Sequence, residues 1–117
     1  MKKNIRKTIV SIISIILILQ MHLIVFAAPN IPTAASDFYV NDFANVFTEE
    51  EKSSLVKRAV ELANSYDGVQ VVITTVKSLD GYTVEEYANT MYNKYDIGKD
   101  NMGILILLAS EDRKIRV

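Results

Sequence analysis

Residues 39–117 predict an α/β layered sandwich, and three observations carry that prediction. Two threonine-led capping boxes each open an apolar stripe at helical spacing. Two runs rich in Val, Ile, Leu and Thr have the composition of buried strands. The order is helix, strand, helix, strand and then a short alternating segment, and strand, helix, strand at this spacing makes a parallel crossover.

In chain order, the first element is a leader. Lys2, Lys3, Arg6 and Lys7 precede the apolar stretch from Ile9 to Leu19, which only Ser11 and Ser14 break; Gln20 and His22 interrupt it, and Leu23 to Phe26 resume it. A basic front, an apolar middle and small residues at Ala27 and Ala28 are the three parts of a secretory signal peptide over residues 1–27. Cleavage after Ala27 sets Val25 three positions before the cut and keeps Pro29 from following it directly. The competing reading is an uncleaved anchor, since Ile9 to Ala28 matches the ~20 residues needed to cross a bilayer. Both give one orientation, because the next basic residue after the first four is Lys52. The rest is expected outside the cytoplasm, secreted or held by its amino terminus.

The chain has 117 residues, so the part after the leader is one small domain. Four of the 13 Lys and Arg residues sit in the leader, leaving nine against 14 acids, a net charge of minus five. That balance disfavours nucleic acid and anionic surfaces and suits calcium or another divalent cation. There is no cysteine, and the one histidine, His22, lies in the leader. Triads built on histidine, thiolate nucleophiles and His-ligated zinc are therefore excluded from the domain, leaving carboxylates, hydroxyls, Lys, Arg or an oxygen-held metal.

Residues 28–38 contain both prolines and read as an extended tether; Phe38 to Asp42 is a short apolar entry, either a strand or a docked loop. Thr48 with Glu51 forms a capping box, and Leu55, Val56, Ala59, Leu62, Ala63 and Tyr66 come after it at helical spacing until Asp67-Gly68. Val69 to Val76 is the first buried strand. Thr83 with Glu86 repeats the cap, and Val84, Tyr87, Ala88, Met91, Tyr92 and Tyr95 recur at steps of three and four. Those tyrosines have the look of a stacking surface, but the period alone accounts for them as a core-facing stripe. Ile104 to Ala109 reads as a central strand, Ser110 to Arg113 as a polar turn, and Lys114 to Val117 as an alternating hairpin partner. Because a sheet ending there would have one face short of cover, the sequence is expected to be incomplete at its carboxyl end.

Val40 to Phe47 before an acidic-capped helix, Glu86-Tyr87-Ala88-Asn89 in the second helix, and Asp100 to Leu107 followed by Glu111-Asp112-Arg113-Lys114 together resemble the TPM domain family, also called TPM phosphatase, from about Tyr39 to Val117. Met102 departs from the family pattern, standing between Asn101 and Gly103, and no glycine-containing continuation comes after the last strand. The resemblance implies a three-layer α/β/α sandwich with a mixed sheet, in an exported or lumenal module. Plant thylakoid-lumen relatives are linked to photosystem II repair and acid phosphatase activity, and the expected partners are other exported or membrane proteins.

Ligands of a parallel sheet collect at the carboxyl ends of its strands, which are succeeded here by Lys77, Ser78 and Asp80 and by Ser110, Glu111 and Asp112. The candidate cation ligands are Asp42, Asp100, Asn101 and Asp112. The segment from Asp96 to Asn101 is no EF-hand, since Gly98, Asn101 and Leu107 occupy its third, sixth and twelfth positions. An Asp, Gly and Asn turn explains it without a metal. For phosphate hydrolysis, a carboxylate-held metal would act as Lewis acid and water activator while Arg113 neutralises the phosphate; an exposed hairpin residue or an ion pair with Asp112 or Glu111 explains Arg113 equally simply. The four isolated glycines form no phosphate-cradling loop.

Overall fold

The computed structural model describes residues 1–20, 27–98 and 102–117. Residues 21–26, including His22, and Lys99, Asp100 and Asn101 lie outside the described residues. Helix α1 spans Lys2–Gln20. No helix among the described residues is long and apolar enough to cross a membrane.

The domain runs β1 (Val40–Asp42), α2 (Glu49–Ser65), β2 (Gln70–Val76), α3 (Val84–Lys94), β3 (Gly103–Ala109) and β4 (Lys114–Arg116). Both capping boxes form as the sequence predicts. Thr48 accepts from the Glu51 amide while Glu51 accepts from the Thr48 amide, and Thr83 and Glu86 do the same. Both helices also end alike. Asp67 and Asp96 take the left-handed conformation, at φ 53° and 51°, and the next amides reach back five residues, Gly68 to Ala63 and Ile97 to Tyr92. This satisfies carbonyls that a helix end otherwise strands. Asp96 is thus a helix terminator.

The sheet order is β1-β2-β3-β4, with β1, β2 and β3 parallel and β4 antiparallel to β3. Phe38 to Asp42 resolves as an edge strand over its last three residues. On one face Val72, Val76, Leu105, Leu107 and Ala109 join Tyr87, Ala88, Met91 and Tyr95 in the core. The tyrosine stripe is therefore core: Tyr87 is 2% exposed, and burial together with the neighbouring Tyr87 pushes the Tyr95 hydroxyl up to about 12. On the other face α2 packs over β1 and β2, with Ala59 and Val40 buried. Ile104 and Ile115 stay 44% and 68% exposed, so this face is open over β3 and β4 among the described residues. Helix, mixed sheet and helix make the three layers.

The segment read as a tether lies extended along the domain. Ile31 is 2% exposed and belongs to the core cluster. Lys94 Nζ donates to the Ile31 carbonyl, Tyr95 donates to the Pro32 carbonyl at 2.9 Å, Tyr82 donates to the Ala27 carbonyl at 2.7 Å, and the Ala35 amide donates to Asn41 Oδ1 at 2.6 Å. At the amino edge, the Gly98 amide donates to Gln70 Oε1 and the Gln70 amide to the Met102 carbonyl, drawing Gly98 against Gly103.

Thr74, wholly buried in the middle of β2, has a hydroxyl with no hydrogen-bond partner among the described residues. A buried polar atom left unpaired costs roughly 1–3 kcal/mol. Thr74→Val keeps the shape and removes that cost, so it is expected to stabilise the domain by about 1–2 kcal/mol in urea unfolding. Unchanged or reduced stability contradicts this.

Candidate functional site at the carboxyl edge of the sheet

Parallel pairing brings the carboxyl ends of β1, β2 and β3 to one edge, with Asp42 opposite Thr75 and Val76 opposite Ala109. The pairing of β2 and β3 continues past the strands, as the Ser110 amide donates to the Val76 carbonyl and the Glu111 amide to the Lys77 carbonyl, each at 2.9 Å. The loop before α3 and the β3–β4 turn are thereby stitched together. Asp112 adds a third tie, its Oδ2 accepting from the Leu79 amide at 2.6 Å.

Asp42 ends β1 and organises the loop into α2. Its Oδ1 accepts from the Val46 amide at 3.1 Å and from the Thr75 hydroxyl, and its Oδ2 accepts from the Phe47 amide at 3.1 Å. Thr75 in turn accepts from the Ala44 amide at 3.1 Å. Burial alone would raise the pKa of Asp42; the Thr75 hydroxyl, the two amides and the Lys52 charge outweigh it and hold the carboxyl below its ordinary value of 3.8. A lowered native pKa favours the fold when the group is ionised. This contribution is complete above the unfolded value and disappears as pH falls through the native one. Domain stability should therefore decline below about pH 4, and Asp42→Asn should flatten that part of the profile in urea midpoints taken from pH 6 down to pH 2. An identical acid limb in the variant rejects the assignment.

The sequence-predicted site residues divide. Asp42 and Asp112 share the edge at strands either side of β2, and each is engaged there by backbone amides, Asp42 by Val46 and Phe47 and Asp112 by Leu79. Asp100 and Asn101 fall outside the described residues; their neighbours Gly98 and Met102 sit at the amino ends of β2 and β3, the opposite edge. No group of three acidic or histidine side chains suited to a metal occurs among the described residues. At the Asp112 end, the second Asp112 oxygen has no hydrogen-bond partner among the described residues, and Ser78, Asp80, Ser110 and Glu111 stand in the same two stitched loops. Arg113 is exposed, at φ 54°, and makes no ion pair with Glu111 or Asp112 among the described residues.

Sequence reasoning missed Thr75, the buried hydroxyl that supports Asp42. In the sequence it is one more β-branched residue of a strand, and only the register opposite Asp42 reveals its role. It also missed Tyr82, Lys94 and Tyr95 as anchors for residues 27–32. Their signal was the polar end that each carries beside an apolar stem.

The family model described as the TPM domain, TPM phosphatase, matches residues 40–117, from the first residue of β1 through β4. Among curated proteins, no match to this chain is found.

Proposed function

The chain belongs to the TPM domain family, and from that premise we propose that it is an exported module, at or outside the membrane, that binds a hard divalent cation at the carboxyl edge of its sheet and engages other exported or membrane proteins. The observation that supports it best is Asp112, which fixes the β2–α3 loop through the Leu79 amide while keeping one oxygen for a ligand. Ser78 and Ser110 in the two stitched loops, with the backbone carbonyls there, would add neutral oxygen donors of the kind calcium takes. Asp42 acts in this reading as the brace of the neighbouring loop. The acidic balance of the sequence after the leader works in the same direction.

The test is a thermal shift of the protein in calcium. At a hundredfold excess over the dissociation constant, binding adds about 2.7 kcal/mol, which for a domain of this size raises Tm by roughly 10 °C or more. Asp112→Asn retains an acceptor for the Leu79 amide but loses the charge, and should abolish most of the shift. No shift in the unsubstituted protein at millimolar calcium overturns the reading.

A weak metal-dependent acid phosphatase is the second reading, and Arg113 favours it. A solvent-facing guanidinium without an ion-pair partner among the described residues suits a phosphate, and a cation bound nearby would supply Lewis acidity. Phosphate release from p-nitrophenyl phosphate near pH 5, dependent on added metal and lost in Arg113→Ala, is the expected result. Turnover that is absent, or equal in the variant, removes it.

A further inference from the structure

The dipeptide Asp-Gly occurs twice, at Asp67-Gly68 and at Asp80-Gly81. The two copies are closely matched. Their φ angles are 53° and 87° in the first and 52° and 84° in the second, and all four residues are exposed. Each pair is spanned by a turn, closed by the Val69 amide on the Tyr66 carbonyl or by the Tyr82 amide on the Leu79 carbonyl. Neither glycine has an atom within 4 Å of where a Cβ would stand. They differ at the glycine amide. That of Gly68 donates to the Ala63 carbonyl at 2.9 Å as part of the end of α2, whereas that of Gly81 has no acceptor among the described residues. We propose that Asp80-Gly81 is a site of spontaneous isoaspartate formation, and that the end of α2 protects Asp67-Gly68 from the same reaction.

An aspartate isomerises when the next backbone nitrogen attacks its side-chain carboxyl carbon. A bond forms between the glycine nitrogen and Cγ, the amide proton and the carboxyl hydroxyl leave as water, and a five-membered succinimide results. Water then adds to one of the two ring carbonyls. Opening at the backbone carbonyl carbon leaves the chain running through Cγ as isoaspartate, and opening at Cγ restores aspartate. Glycine in second place favours the attack, since it has no Cβ to crowd its nitrogen. At Gly68 that nitrogen is tied into the helix terminus, so α2 has to fray before the amide can lose its proton and turn toward Cγ. The rate is then scaled down by the fraction of molecules open at that end. At Gly81 no such bond has to break. Isoaspartate at position 80 also lengthens the main chain by one carbon inside the turn that Tyr82 closes on Leu79, whose amide Asp112 holds. The modification therefore falls on the stitched loops of the carboxyl edge.

The experiment incubates the full chain at pH 6 and 37 °C, folded in buffer and in parallel unfolded in guanidinium chloride, and follows its tryptic peptides by liquid chromatography and mass spectrometry. Trypsin cuts after Arg58, Lys77 and Lys94, so residues 59–77 hold Asp67 and residues 78–94 hold Asp80, each as the one aspartate of its peptide. Isoaspartate leaves the mass unchanged and appears as a separately eluting peak with its own fragment ions. In the folded chain it is expected to accumulate at Asp80 at least about fivefold faster than at Asp67, and in guanidinium chloride the two rates should agree within about twofold. Equal rates in the folded chain, or no isoaspartate at Asp80, overturn the proposal. A preference of the same size that persists in the unfolded chain also overturns it, because the flanking residues rather than the fold then decide.

Discussion

Ile31→Ala is expected to be among the most damaging single substitutions in the domain. Removing buried methylene groups from a side chain 2% exposed loses their transfer energy and leaves a cavity, together about 2–5 kcal/mol. Small domains have only about 5–15 kcal/mol in total, so Tm should fall by roughly 10 °C or more. The same substitution releases the segment whose carbonyls Lys94 and Tyr95 hold. Amide exchange at residues 31–35 should therefore accelerate more than exchange in β2. If Ile31→Ala changes Tm by less than about 3 °C, the segment is not part of the core in solution.

Gly98→Ala should be as severe for a different reason. A methyl group on Gly98 would lie 2.6 Å from the Gly103 nitrogen and 2.6 Å from the Tyr92 hydroxyl oxygen, in a backbone at φ +79°. The left-handed conformation costs a non-glycine residue roughly 1–2 kcal/mol and overpacking typically adds 1–3, so a loss of about 2–5 kcal/mol is expected. Gly103→Ala meets the same obstacle from the other side, its methyl 2.5 Å from the Gly98 Cα. Gly81→Ala is the control. It has a similar φ of +84° but open space around it, so its cost should be confined to the backbone, about 1 kcal/mol. Equal urea midpoints for Gly98→Ala and Gly81→Ala would show that the close approach at the amino edge does not constrain the fold.

Features governed by neighbours in sequence were readable from it, and features governed by register were not. The capping boxes at Thr48 and Thr83 depend on residues three positions apart, so the string of letters already contains both partners. The strands at Gln70–Val76 and Gly103–Ala109 depend on composition, which is also local. Asp96 shows the limit. Its spacing to Asp100 suggests either a cation loop or a turn, and only the chain direction after Lys94 fixes it as the left-handed residue that ends α3. Asp42 is similar, because its carboxylate is satisfied by the loop amides of Val46 and Phe47 and by Thr75, 33 residues away. The docking of residues 27–35 was the least legible feature. Two prolines and small residues resemble a tether locally, and its anchors lie far along the chain.

The segment reaches across 63 residues, from Ile31 to Lys94 and from Pro32 to Tyr95. A chain made from its amino terminus therefore delivers these residues long before their anchors, and at about 5–20 residues per second the delay is about 3–13 s. Helices and hairpins form within microseconds. The rate of synthesis then sets a minimum for how long the amino-terminal segment of a nascent chain remains undocked.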